Sequence, residues 1–130
     1  MRYLLDVNAL IALGLEFHTF HPRIAEWIHS EPRSSYLTCP VTELGFVRVI
    51  AQMPAYATDV QAAKNLLLRL KHSRFKLIEF VADTEDISSL PQWAKSPAQT
   101  TDGHLLELAT ANNGVLATFD KGIPGAFLIP

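Results

Sequence analysis

Four acidic residues stand where folding alone does not demand a charge: Asp6, Glu43, Asp102 and Asp120. Asp6 follows the apolar run Tyr3-Leu4-Leu5, and Asp120 follows Val115 to Phe119, so both emerge past the end of a buried strand. Glu43 and Asp102 stand near helix starts, after Thr42 and after Thr100-Thr101. A carboxylate leaving a buried strand must be hydrated, paired or bound to a cation. In a parallel α/β layout strand ends and helix starts share one edge of the sheet, which is where ligands bind. Four carboxylates gathered there cannot all ionise without a cation. An all-oxygen donor set selects Mg²⁺ or Mn²⁺ over Zn²⁺. Such sites activate water and stabilise an in-line displacement at phosphorus. The chemistry indicated is phosphodiester hydrolysis without a covalent enzyme intermediate.

Each acid also has a plain structural use. Asp6 or Asn8 can cap a helix, as can Thr101 or Asp102. Glu43 in a first helical turn favours the helix dipole. Asp120 before Lys121-Gly122 suits a turn. The glycines beside two of the acids sharpen the functional reading. Gly45 costs its helix about 1 kcal/mol relative to Ala, which points to a close approach of other atoms, and Gly103 next to Asp102 permits the same.

The elements that must position these residues alternate between strand and helix. Arg2–Val7 reads as a strand and Ala9 to about Leu15 as a helix. His21-Pro22 opens a second helix, with Pro22 where its missing N–H costs nothing. Ser35–Thr38 reads as a short strand ending at Cys39-Pro40. Val41–Gln52 is a helix stopped at Met53-Pro54. Thr58 or Asp59 caps a helix to about Lys71, with Val60, Ala63, Leu67 and Leu70 on one face. Phe75–Val81 alternates like an edge strand. The stretch from Asp83 to Pro97 carries no clear pattern. A helix follows from about Asp102 to Asn112, stopped by Asn113-Gly114 in a left-handed conformation. Val115–Thr118 and Phe127–Ile129 are strands. The expected architecture is a three-layer α/β sandwich with a mostly parallel central sheet, in a single domain over residues 1–130.

Composition bounds the function. Apolar residues make up 48% and charged residues 18% of the chain, as in a globular domain. A net charge of −2 argues against a protein that coats nucleic acid indiscriminately. One cysteine, Cys39, allows no internal disulfide and fits a reducing compartment. No apolar run approaches the ~20 residues of a membrane span, and the amino terminus does not read as a signal peptide. The expectation is a cytoplasmic protein with no membrane association.

The segments that carry the acids also resemble a known family. Leu5 to Leu13, Thr42 to Arg48, Thr101 to Leu106 and Leu116 to Ile123 are similar, in order and over nearly the whole chain, to the PIN domain. The similarity is closest to VapC-type ribonuclease toxins of type II toxin–antitoxin systems. His18 to Trp27 is similar to a subgroup with histidines and a tryptophan there. By this resemblance Asp6, Glu43, Asp102 and Asp120 are the metal-binding, catalytic acids, with Asn8 and Thr118 as polar support. It implies a Mg²⁺- or Mn²⁺-dependent endoribonuclease acting on structured RNA, such as transfer or ribosomal RNA. It also implies a small VapB-type antitoxin whose tail fills the active site, and homodimers.

Other readings of the same residues are weaker. A haloacid-type phosphatase needs a second Asp two positions after the first, and Asn8 stands there. A non-catalytic metal- or partner-binding module would use the acids as a pocket only. A deoxyribonuclease would use the same site, since carboxylates read metal and phosphate, not the sugar. His18 and His21 suit packing or capping better than zinc, and Asp83, Glu85 and Asp86 suit a solvated turn. His104 faces substrate or surface. Arg48 and Lys121 are candidate phosphate contacts. Trp27 and Trp93 read as core or interface, and Cys39 as a small apolar residue.

Overall fold

The structure, a computed structural model, describes residues 1–73 and 77–130. Among these residues five strands form one sheet: β1 (Arg2–Leu5), β2 (Ser35–Thr38), β3 (Ile78–Phe80), β4 (Val115–Thr118) and β5 (Phe127–Leu128). Their order is β3-β2-β1-β4-β5, and every pairing is parallel. The sheet is therefore parallel throughout. β3 lies at an edge, as its alternation predicts; the expected start of that strand, Phe75-Lys76, lies outside the described residues.

Among the described residues five helices accompany the strands: α1 (Val7–Gly14), α2 (His21–Ser30), α3 (Pro40–Gln52), α4 (Val60–Lys71) and α5 (Pro97–Ala111). Short 3₁₀ turns lie at Pro54–Tyr56 and Ile87–Ser89. β1 shows why there are three layers. Tyr3 and Leu5 point to one face, into a core with Leu10, Ile24, Trp27, Phe46 and Leu67 from α1 to α4. Leu4 points to the other, among Leu105 and Leu108 of α5 with Leu37 and Leu116. The period of two in a strand feeds both cores at once.

Several boundaries differ from expectation for local reasons. β1 ends at Leu5 and α1 begins at Val7, so Asp6 is the junction itself. α3 begins at Pro40 with Cys39 at the cap. Thr42, three positions on, accepts the Cys39 N–H at 3.0 Å. Asp59 caps α4, accepting the Ala62 N–H. The larger correction is α5, which starts at Pro97 and not near Asp102. Ser96 is its cap, and the Gln99 side chain accepts the N–H groups of Lys95 and Ser96. Ser96-Pro97-Ala98-Gln99 is a capping-box pattern with Pro in the first turn, a signal present in the sequence. At the end of α5 it is Asn113, with φ 58°, that turns left-handed. Gly114 serves a different need, because a Cβ there would lie 2.6 Å from the Arg2 carbonyl oxygen.

Candidate active site

The carboxyl ends of β1, β2 and β4 lie side by side: Asp6 follows β1, Glu43 lies in α3 after β2, Asp120 follows β4, and Asp102 comes from α5. Asp6 is buried, 6% exposed. Its Oδ1 accepts the Val7 N–H at 2.8 Å, so the capping role is real. Its Oδ2 accepts the Thr118 hydroxyl at 2.7 Å. That hydroxyl also accepts from Asn8 Nδ2 at 3.1 Å and from the Asp120 N–H at 3.0 Å. The other end of the Asn8 amide accepts the Phe119 N–H at 3.1 Å. Thr118 and Asn8 thus tie the end of β4 to the β1–α1 junction and fix both Asp6 and the backbone of Asp120.

Asp120 is exposed, and its Oδ1 accepts the Gly122 N–H at 2.8 Å, the turn geometry that its setting suggests. Asp102 lies in the second turn of α5, where backbone N–H groups are already paired within the helix. Capping by Asp102 is therefore excluded, and so is capping by Thr101. Gly103 beside it packs on the preceding loop: a Cβ would stand 3.0 Å from Ala94 and 3.1 Å from Pro91. Likewise the close approach at Gly45 comes from α1, since a Cβ there would stand 2.5 Å from Val7 Cγ2.

The charges of these groups act on one another. Burial pushes the Asp6 carboxyl above its ordinary range; Thr118 and the Val7 N–H pull it back, and the charge of Asp120 pushes it up again. Burial also raises Asp102, followed by the charges of Asp6 and Asp120. Asp6, Asp102 and Asp120 therefore share one electrostatic site. Glu43 is placed differently. Its Oε2 accepts the Thr38 hydroxyl at 2.6 Å and pairs with Lys71 Nζ at 2.6 Å.

Among the described residues, no three acidic, histidine or cysteine side chains stand close enough together to grip one ion as they are. The donor chemistry nonetheless fits a hard divalent cation. The donors are oxygens only, and added positive charge would offset the burial and the neighbouring negative charge that raise Asp6 and Asp102.

The remaining candidates have other places. His18 accepts the Phe20 N–H, and the His21 ring pairs with the Ala12 carbonyl, so both do structural work. His104 pairs with Asp83 at 2.7 Å, and Asp86 accepts the Ser88 N–H at the head of a 3₁₀ turn. Arg48 and Lys121 are exposed. Trp27 is core and Trp93 packs half-buried against the α5 side. Cys39 is buried. Lys71 was missed in the sequence, because nothing in the local pattern at the end of α4 points to a partner 28 residues earlier. Away from the acids, a cavity of about 640 Å³ opens between α1, α2 and α4, lined by Leu13, Ala25, Ile28, Leu66 and Leu70 among others. No helix among the described residues is long and apolar enough to cross a membrane.

A sequence profile of the PIN domain matches residues 3–126. Ribonuclease VapC44 of Mycobacterium tuberculosis is 40% identical over 137 residues, covering 97% of this chain and 94% of the relative. Two solved structures share the fold. VapBC2 from Rickettsia felis, bound to a DNA fragment from their promoter, aligns with a TM-score of 0.66 at 12% identity, over 98% of this chain and 97% of that one. Mycobacterium tuberculosis VapC20, a sarcin-ricin loop cleaving toxin, aligns with a TM-score of 0.64 at 10% identity, over 93% and 92%. The chain belongs to the PIN domain family, among the VapC-type ribonuclease toxins.

Proposed function

We propose that this chain is a metal-dependent endoribonuclease, the toxin of a toxin–antitoxin pair, built as one PIN-like domain over residues 1–130. The observation that carries this reading is the electrostatic convergence of Asp6, Asp102 and Asp120: burial raises the first two, the charge of Asp120 adds to both, and the charge of Asp6 adds to Asp102. Helix capping accounts for half of Asp6 and for none of Asp102. The names of the relatives support ribonuclease activity. That of VapC20, a sarcin-ricin loop cleaving toxin, supports a structured RNA as substrate, and transfer or ribosomal RNA is the class proposed here. The VapBC2 complex supports a VapB-type antitoxin as partner. A homodimer and a cytoplasmic location complete the proposal.

In this reading Asp6, Glu43, Asp102 and Asp120 hold Mg²⁺ or Mn²⁺. When bound, the ion supplies an activated water and offsets charge developing at phosphorus. The chain's own residues prepare for this. Thr118 orients Asp6 through Oδ2 and sets the Asp120 backbone. Asn8 holds Thr118 and Phe119 and is thereby committed to support, not to acid–base work. Thr38 orients Glu43.

The test is cleavage of total cellular RNA by purified wild type and Asp6→Asn, with Mg²⁺, Mn²⁺ or EDTA. Discrete fragments that require metal and vanish in the variant are expected, and their ends identify the target. A well-folded wild type that cuts no RNA with either metal would sink the proposal.

A further inference from the structure

Lys71, the last residue of α4, reaches across to Glu43. Its Nζ lies 2.6 Å from Glu43 Oε2, and the two side chains are only 14% and 23% exposed. The same oxygen accepts the Thr38 hydroxyl. The ammonium also stands 5.2 Å from the centre of the Phe80 ring, a cation–π distance. It is therefore held from β3 as well as from α3. Burial, and after it the charge of neighbouring acids, raises Asp6 and Asp102, whereas Glu43 pairs with a cation inside the protein.

An ammonium and a divalent cation cannot both take the same carboxylate oxygen at contact distance without strong repulsion between them. We propose that Lys71 is a built-in competitor for the metal at Glu43. The ammonium occupies Glu43 Oε2 until a divalent ion displaces it, so the site fills only at a higher cation concentration than its carboxylates alone would set. Lys71 is thus a positioning residue that acts through Glu43. The inference rests on the metal-dependent reading above and extends it to control of metal loading.

Calorimetric titration of the full chain with Mn²⁺, without RNA, tests it in wild type, Lys71→Met and Lys71→Arg. Met retains an apolar stem against Phe80 and removes the charge; Arg retains the charge. Lys71→Met is expected to bind Mn²⁺ about tenfold more tightly, the order expected when a nearby like charge is removed at a partly screened site. Lys71→Arg is expected to stay within about twofold of wild type by the same reasoning, since the charge persists. Lys71→Gln, a second neutral variant, must move in the same direction as Lys71→Met. Normal Mn²⁺ binding by wild type with unchanged or weaker binding by the neutral variants overturns the inference and leaves the metal reading standing. Failure of wild type and neutral variants alike to bind Mn²⁺ overturns both.

Discussion

Asparagine in place of Asp6 removes a charge and keeps the shape. Its carbonyl oxygen can still accept the Val7 N–H; the Thr118 hydroxyl already accepts from Asn8 Nδ2 and the Asp120 N–H, so the contact with Thr118 is lost or loosened, a cost offset by removing a buried charge. Asp6→Asn is therefore expected to fold normally and to lose cleavage. Its metal-free stability should also respond differently to pH. A carboxyl whose folded pKa is raised contributes stability that is fully present below its unfolded value, near 3.8 for Asp6 and Asp102. That contribution is lost as pH rises through the folded value. Metal-free wild type should thus lose stability from about pH 4 upward through these two groups. Urea unfolding of Asp6→Asn over the same range should show a shallower decline. A steeper decline in the variant would mean that the Asp6 charge is stabilised by the fold. Asp86 runs the other way: the Ser88 hydroxyl, then its N–H, hold that carboxyl low, so its contribution fades as pH falls. Thr118→Val probes the support. It strips a hydroxyl donor from a buried carboxylate, and a cost of about 1–3 kcal/mol is expected in chemical unfolding.

Helix α3 meets α1 tightly at Gly45. Gly45→Ala gains helix propensity of about 1 kcal/mol, yet its Cβ would meet Val7 at 2.5 Å. Overpacking typically costs about 1–3 kcal/mol, so the variant should be net destabilised. Because Val7 follows Asp6, its metal affinity should fall as well. Unchanged melting and Mn²⁺ binding would show that α1 yields freely. The elements that run on strong local rules were legible in the sequence. Apolar runs gave β2 and β4 their observed limits, and Asp59 was a readable cap. α5 was misread because Thr100-Thr101-Asp102 mimics a capping site inside a helix whose true start is Ser96-Pro97. The site was legible as a set of acids at strand and helix ends. The Lys71–Glu43 pair and the Thr118–Asn8 network were not, since both join residues distant in sequence through tertiary packing. Ser96→Ala checks the revised start of α5, with an expected loss of about 1 kcal/mol.

Across the whole molecule the sheet carries the consequence of its strand order. β1 occupies the middle, flanked by β2 and β4. Asp6 and its Thr118 partner are 112 positions apart in the chain. Contacts of such long range form slowly and late. Binding of Mn²⁺ to the folded state alone should add about 2.7 kcal/mol at a hundredfold excess over Kd, seen as a rise in Tm that EDTA reverses. A chain cut after Gly114 has the first three strands but neither Thr118 nor Asp120. It should show no cooperative unfolding transition and no Mn²⁺ binding, and tight Mn²⁺ binding by that fragment would refute this. On a ribosome the same rule becomes a safeguard. On the proposed activity, a nascent chain that already carries Asp6 is expected to lack a working site until the segment bearing Thr118 and Asp120 has inserted beside β1.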